Sequence, residues 1–241
     1  MPFIADALTY VVSVVSLMKI KAPFHIERAP SKRNLREEVA EGLRWLWSNR
    51  LIRYMAFLTG AQNLINAAAP LMIIMLAKEM GADDGAIGVI FGISGVGGIL
   101  GSLVGGRIQR RFTFGQVIIA TIWASTLLFT LYAVAPSYLL LGVVSGAIYF
   151  LMPIYNVVQF SYRLSIIPDR LQGRVNSVFR MLAFGFMPIG AALSGVLIER
   201  FGAIVAVEIF SAWLVLWAIA TTINPHIRKA APISREPPTG A

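Results

Sequence analysis

Apolar runs of about twenty residues recur along the whole chain, and the short stretches between them hold most of its charge. A run of that length crosses roughly 30 Å of hydrocarbon as a helix. Within lipid every backbone N–H and C=O must find a partner inside the segment, which makes each run helical. Spans are expected at residues 2–18, 52–77, 86–106, 114–135, 138–160, 175–198 and 203–223. Only 14% of the 241 residues are charged and 57% are hydrophobic, whereas a soluble domain carries roughly 25% charged residues. The expected fold is all-α, a polytopic membrane helix bundle of about seven spanning helices. Its expected divisions are a first spanning helix (1–18), a cytoplasmic linker with an amphipathic helix (19–53), a six-helix transmembrane bundle (54–224) and a cytoplasmic tail (225–241).

The formal net charge is +9. On a soluble protein that excess would point to nucleic acid, but here its distribution gives another reason. Threading the spans alternately with Met1 outside puts nineteen of the 21 Lys and Arg on one side and leaves Lys78 and Arg200 on the other. The positive-inside rule makes the basic side cytoplasmic, together with the C-terminus. The bilayer is the expected partner, and nucleic acid is not. Residues 2–18 lack a basic stretch before the apolar run, and Lys19 and Lys21 follow it, the reverse of a cleavable signal. The chain has no cysteine, which removes disulfides and thiolate chemistry. His25 and His226 lie in loops without a nearby carboxylate or nucleophile. No enzyme, metal or cofactor is expected from such a pattern.

In the linker, Pro23 and Pro30 keep the first part irregular. Residues 34–49 then read as an amphipathic helix, with Leu35, Val39, Leu43, Leu46 and Trp47 on its apolar side. Trp45 and Trp47 suit headgroup depth. The third span holds two small-residue stripes, Gly97/Gly101/Gly105 and Gly98/Ser102/Gly106, both suited to close helix contact. A dinucleotide fingerprint fails there, because Leu100 stands where its third glycine is needed. Gly106–Phe112 echoes Gly195–Phe201, three spans apart, as an inverted repeat would or as chance similarity of helix ends would.

Polar groups inside spans face one another or a cavity. Gln62, Asn63 and Asn66 lie in the second span, and Tyr149, Tyr155, Asn156 and Gln159 in the fifth. They serve either as interhelical hydrogen bonds or as substrate contacts. Phe184, Phe186 and Met187 offer an adaptable apolar lining or ordinary packing. Glu208 is a candidate coupling carboxylate, with a helix-pairing or snorkelling position as the alternative, and Asp6 reads as solvated or capping. Arg163, Arg174 and Arg180 read as cytoplasmic positive-inside residues, with Arg174 also placed to bond neighbouring helix ends.

Two stretches carry a family resemblance. Gly101-Ser-Leu-Val-Gly105-Gly106-Arg107-Ile-Gln-Arg-Arg111-Phe112 resembles the glycine-rich basic loop of major facilitator transporters, although Arg110 stands where an acidic residue is common. Ile167-Pro168-Asp169-Arg-Leu-Gln-Gly173-Arg174-Val175-Asn-Ser177, with Gly185, Pro188, Gly190 and Gly195, is similar to the start of helix eleven in the enterobactin and macrolide exporter branch. Residues 3–10 and 41–47 resemble helix six and the central loop of that branch.

The resemblance implies the C-terminal half of a major facilitator fold, helices six to twelve, in a bacterial inner membrane. It makes Gly105, Gly106, Arg107, Arg111, Gly173 and Arg174 the conformational loops. It places Asn63, Asn66, Tyr149, Asn156, Phe184 and Met187 at a substrate cavity. The implied function is alternating-access efflux of a small molecule such as a drug or siderophore, driven by an ion gradient, with a missing N-terminal half or a second copy as partner. The alternative is a non-transporting fragment, or a membrane subunit that packs against another chain.

Overall fold

The computed structural model of the chain describes residues 2–19 and 34–230. His25 and the linker prolines lie outside them. The chain divides into two compact units, meeting at residues 35 and 36. The first contains helix α1, Pro2–Met18. The second contains α2 (Leu35–Ser48), α3 (Arg50–Glu79), α4 (Asp84–Arg111), α5 (Phe114–Thr130), α6 (Tyr138–Ile166), α7 (Gln172–Phe201), α8 (Ala203–Ile223) and the short α9 (Pro225–Arg228).

Helices α3, α4, α5 and α6 start where the sequence supplies an oxygen for the free N–H groups of the first turn. Asn49 accepts from the Ile52 N–H at 3.1 Å, and Asp83 accepts from the Ala86 N–H at 2.7 Å. Thr113 and Gln116 form a reciprocal capping box at α5. Ser137 caps α6. Gly202, at φ +83°, turns the chain between α7 and α8 in a conformation that costs glycine little.

Six helical stretches are long and apolar enough to cross a membrane: Arg50–Glu79, Asp84–Arg111, Phe114–Val134, Tyr138–Ile166, Asp169–Phe201 and Ala203–Ile223. The first expected span is helical but has 17 residues, which reach about 25 Å at 1.5 Å per residue. Several helices outrun their expected bounds, with α4 reaching Arg111 and α6 reaching Ile166. Hydropathy detects the apolar part of a helix, and polar turns continue beyond it.

The two most intimate helix pairs are α4 with α6 and α3 with α7. Glycine makes both possible. A Cβ on Gly97 would strike the Gly146 carbonyl oxygen, one on Gly101 the Phe150 carbonyl oxygen, and one on Gly190 the Leu64 carbonyl oxygen. Exchanging α3 with α6, α4 with α7 and α5 with α8 converts one pair into the other, the relation expected of an inverted repeat. The sequence echo falls at the ends of α4 and α7, which this exchange relates. The second glycine stripe does not pack as expected. Ser102 is exposed, and a Cβ on Gly106 would meet open space. Adjacent stripes on a helix point about 100° apart, and α6 covers one of them.

The six long helical stretches alternate in direction. At one end Tyr54 Oη lies 3.0 Å from Thr221 Oγ1, Phe114 stacks on Tyr162 at 4.0 Å, and Gly115 abuts the backbone of Ile227. Arg53, Arg111, Arg163 and Arg228 collect at this end, as positive-inside threading requires. At the other end Lys78 Nζ lies 3.9 Å from Asp84 Oδ1.

Candidate functional site

A cavity of about 380 Å³ lies between α3, α5, α6 and α7, with Leu214 of α8 at its edge. Its polar lining follows helical spacing. Thr59, Gln62, Asn63 and Asn66 share one face of α3, and Tyr155, Asn156, Gln159 and Arg163 share one face of α6. Thr121, Ser125 and Phe129 come from α5, and Phe179, Arg180 and Phe184 from α7.

A hydrogen-bond chain ties α6 to α3. Arg163 Nη1 donates to Gln159 Oε1 at 3.5 Å, Gln159 Nε2 donates to Thr59 Oγ1 at 3.1 Å, and Thr59 Oγ1 lies 3.1 Å from Tyr155 Oη. Asn63 Nδ2 donates to the Ala183 carbonyl at 3.0 Å, so it clamps α3 to α7 as well as lining the cavity. Among the described residues, the side-chain amides of Asn66 and Asn156 have no hydrogen-bond partner. They remain available to a bound molecule.

The structure brings Asn63, Asn66, Asn156 and Phe184 together at this cavity and leaves Tyr149 and Met187 out of its lining. Tyr149 lies on the part of α6 beside α4, where its carbonyl is 3.9 Å from a Cβ built on Gly98. Phe186 packs over Gly60. Helix α4 contributes no lining residue, and α5 does. Glu208 is exposed on α8, outside the lining, and has no ion pair or hydrogen bond among the described residues. The side chain of Asp6 lies outside the description.

Arg163 departs most from its expectation as a solvated cytoplasmic residue. It sits inside α6, is 5% exposed, and stacks its guanidinium 3.9 Å from the Phe179 ring centroid and 5.2 Å from that of Phe160. The expected span ended at residue 160 because a basic residue followed. The four-residue spacing of Tyr155, Gln159 and Arg163 was the available signal that the polar face continues. The hydroxyls of Thr59, Thr121 and Ser125 carried no signal, because such residues occur in any span bonded to their own helix.

The conformational-loop residues lie at the basic end. Gly105 packs near Ile154 and Val157, while Arg107, Arg111 and Gly173 are exposed. Arg174 holds α2: it bonds Glu38 Oε1 at 3.0 Å and the Glu41 carboxylate, and Arg170 reaches Glu41 at 3.4 Å. Gly42 lies against the Arg174 backbone, where a Cβ would come within 2.7 Å of its carbonyl oxygen. So α2 docks through Glu38, Glu41, Gly42 and Leu46. Val39, Leu43 and Trp47 stay 39–51% exposed, which suits an apolar face lying at a membrane surface. Removing Arg174 leaves two carboxylates without their shared partner, whereas Arg170 is largely solvated. Arg174→Ala is expected to weaken the docking of α2 clearly, and Arg170→Ala to change it little. Hydrogen exchange of amides 36–48 reads the difference, and equal protection in both variants would refute it.

Residues 1–237 match a family model described as transmembrane secretion effector, of the major facilitator type (MFS_3). No curated protein matches the chain.

Proposed function

The chain belongs to the transmembrane secretion effector family of major facilitators, and from that premise we propose that its six-helix bundle forms one wall of an exporter that works by alternating access. The family makes the chain an integral membrane transporter. Export of a small amphipathic molecule, the role as a C-terminal half and the cytoplasmic position of the basic end are our reading.

The observation that carries it is the pair of free amides, Asn66 and Asn156, in a cavity between helices. Asn66 lies near the middle of the 30-residue α3, the depth at which transporters of this architecture bind substrate between repeats. Asn63, Asn66 and Asn156 supply hydrogen bonds, and Phe184 supplies adaptable apolar contact. The glycine-backed pairs α3–α7 and α4–α6 keep each half rigid while it rocks. Gly105, Gly106, Arg107, Arg111, Gly173 and Arg174 sit at the basic end, where such rocking opens and closes the passage. The cavity lining contains no Asp or Glu, and the coupling candidate Glu208 lies on α8 outside it.

The chain has no cysteine, so single cysteines report cleanly. In energised inverted vesicles from cells expressing Asn66→Cys, an impermeant thiol reagent is expected to block uptake of amphipathic dyes. A cysteine at the lipid-facing Leu103, which is 65% exposed, should leave uptake intact. Labelling at Leu103 but not at position 66, or uptake indifferent to both, would favour a membrane subunit that only packs against another chain.

A further inference from the structure

The charge of the cavity was not expected from the sequence and says what the cavity takes. Its lining includes two arginines, Arg163 and Arg180, and no acidic residue. Arg163 is 5% exposed. It has no carboxylate within ion-pair distance among the described residues, and its Nε has no hydrogen-bond partner. Gln159 bonds it at 3.5 Å, the long limit of such a contact, and the rings of Phe160 and Phe179 lie against its guanidinium.

A buried cation is normally neutralised by a partner. Within a membrane protein such a residue marks a ligand or ion pathway by default. Snorkelling does not account for it, because a snorkelling arginine puts its head in water. Arg180 of α7 lines the same cavity and carries the same charge, so the two repel each other until an anion joins them.

Resting on the cavity reading above, we infer that the cavity takes an amphipathic organic anion. Its carboxylate, sulfonate or phosphate head sits between Arg163 and Arg180, and its aromatic or aliphatic body lies against Phe160, Phe179 and Phe184. The planar guanidinium suits such a head, since it offers paired donors to two oxygens at once. The unpartnered Nε supplies one donor. Asn156, two helical turns from Arg163 on α6, serves a second polar group further along the molecule. Cationic amphiphiles are rejected by the same charges.

The test compares naphthalene-2-sulfonate with 2-naphthol, a 2-naphthyl trimethylammonium salt and inorganic sulfate. Binding is measured by calorimetry to the full chain in non-ionic detergent. The sulfonate is expected to bind at least about tenfold more tightly than the neutral and cationic naphthyl compounds, and sulfate alone should bind weakly. Arg163→Gln should remove that advantage while leaving 2-naphthol affinity unchanged, and Arg163→Lys should restore part of it. Arg180, being exposed, can be replaced without threatening the fold, and Arg180→Gln should also reduce the preference. Equal binding of the three naphthyl compounds would overturn the anion inference and leave the cavity reading standing. Sulfate binding as tightly as naphthalene-2-sulfonate would overturn the amphipathic part. No binding by any of them would overturn the cavity reading itself.

Discussion

Gly97→Ala and Gly101→Ala are expected to lower the unfolding temperature sharply, whereas Gly106→Ala, a few turns away on the same helix, should hold or raise it. Helix propensity alone favours alanine over glycine by about 1 kcal/mol at every one of these positions. The sign therefore rests on what a methyl group meets. At Gly97 and Gly101 it meets the carbonyl oxygens of Gly146 and Phe150, which belong to the backbone of α6 and have no rotamer to change. The helices must part, and overpacking of this kind costs about 1–3 kcal/mol per site. Valine, with two more methyl groups, should prevent a stable α4–α6 pair from forming. At Gly106 nothing lies in the way. Thermal unfolding in detergent, followed by loss of the monodisperse chromatographic peak, separates the two classes. A Gly97→Ala protein as stable as its parent would mean that α4 and α6 do not approach as described.

The same contrast shows what the sequence does and does not disclose. A four-residue glycine repeat announces that a helix packs closely, because few other reasons place three glycines on one face. It does not say which of two neighbouring stripes is covered, because that depends on where α6 lies. The six long spans and the gathering of basic residues at one end were legible because the cost of burying charge in lipid is large and local. Asn66 and Asn156 were legible for the same reason, since each is a polar group that lipid would penalise. Arg163 was misplaced because a basic residue near a helix end has a cheap explanation at the membrane surface. Only the position of Phe179, sixteen residues later on another helix, shows it enclosed. Tyr149 and Met187 share a helical face with lining residues, Tyr149 with Met152 and Asn156 and Met187 with Arg180 and Phe184, yet neither joins the lining, because helical spacing fixes a face and not how far along the helix the cavity reaches. How α2 docks was not legible, because its amphipathic pattern shows an apolar side but not that a glycine and two carboxylates hold it to the start of α7.

Purified chain reconstituted at less than one copy per vesicle is expected to show no gradient-driven flux of any substrate. The cavity is walled by α3, α5, α6 and α7, but Asn156 and Arg180 are exposed and Phe160 and Phe184 are about half exposed. The lining thus opens to the outside of the bundle along one side. In lipid an unsatisfied polar group costs on the order of several kcal/mol, so a single bundle either keeps this face against protein or leaves it filled with water. A water-filled groove along one bundle has no opposing wall to rock against and no means of closing on the substrate. Alternating access needs that second wall, whether a second copy or a different six-helix half supplies it. The two differ in a measurable way. If a second copy serves, raising the protein-to-lipid ratio should switch flux on with the square of the copy number, and a cysteine-linked dimer should transport at any dilution. If a different half serves, flux should stay absent until that half is supplied. Gradient-driven flux from vesicles holding one copy each, abolished by Asn66→Ala, would show that a single bundle completes the cycle, and the one-wall reading would then have to be given up.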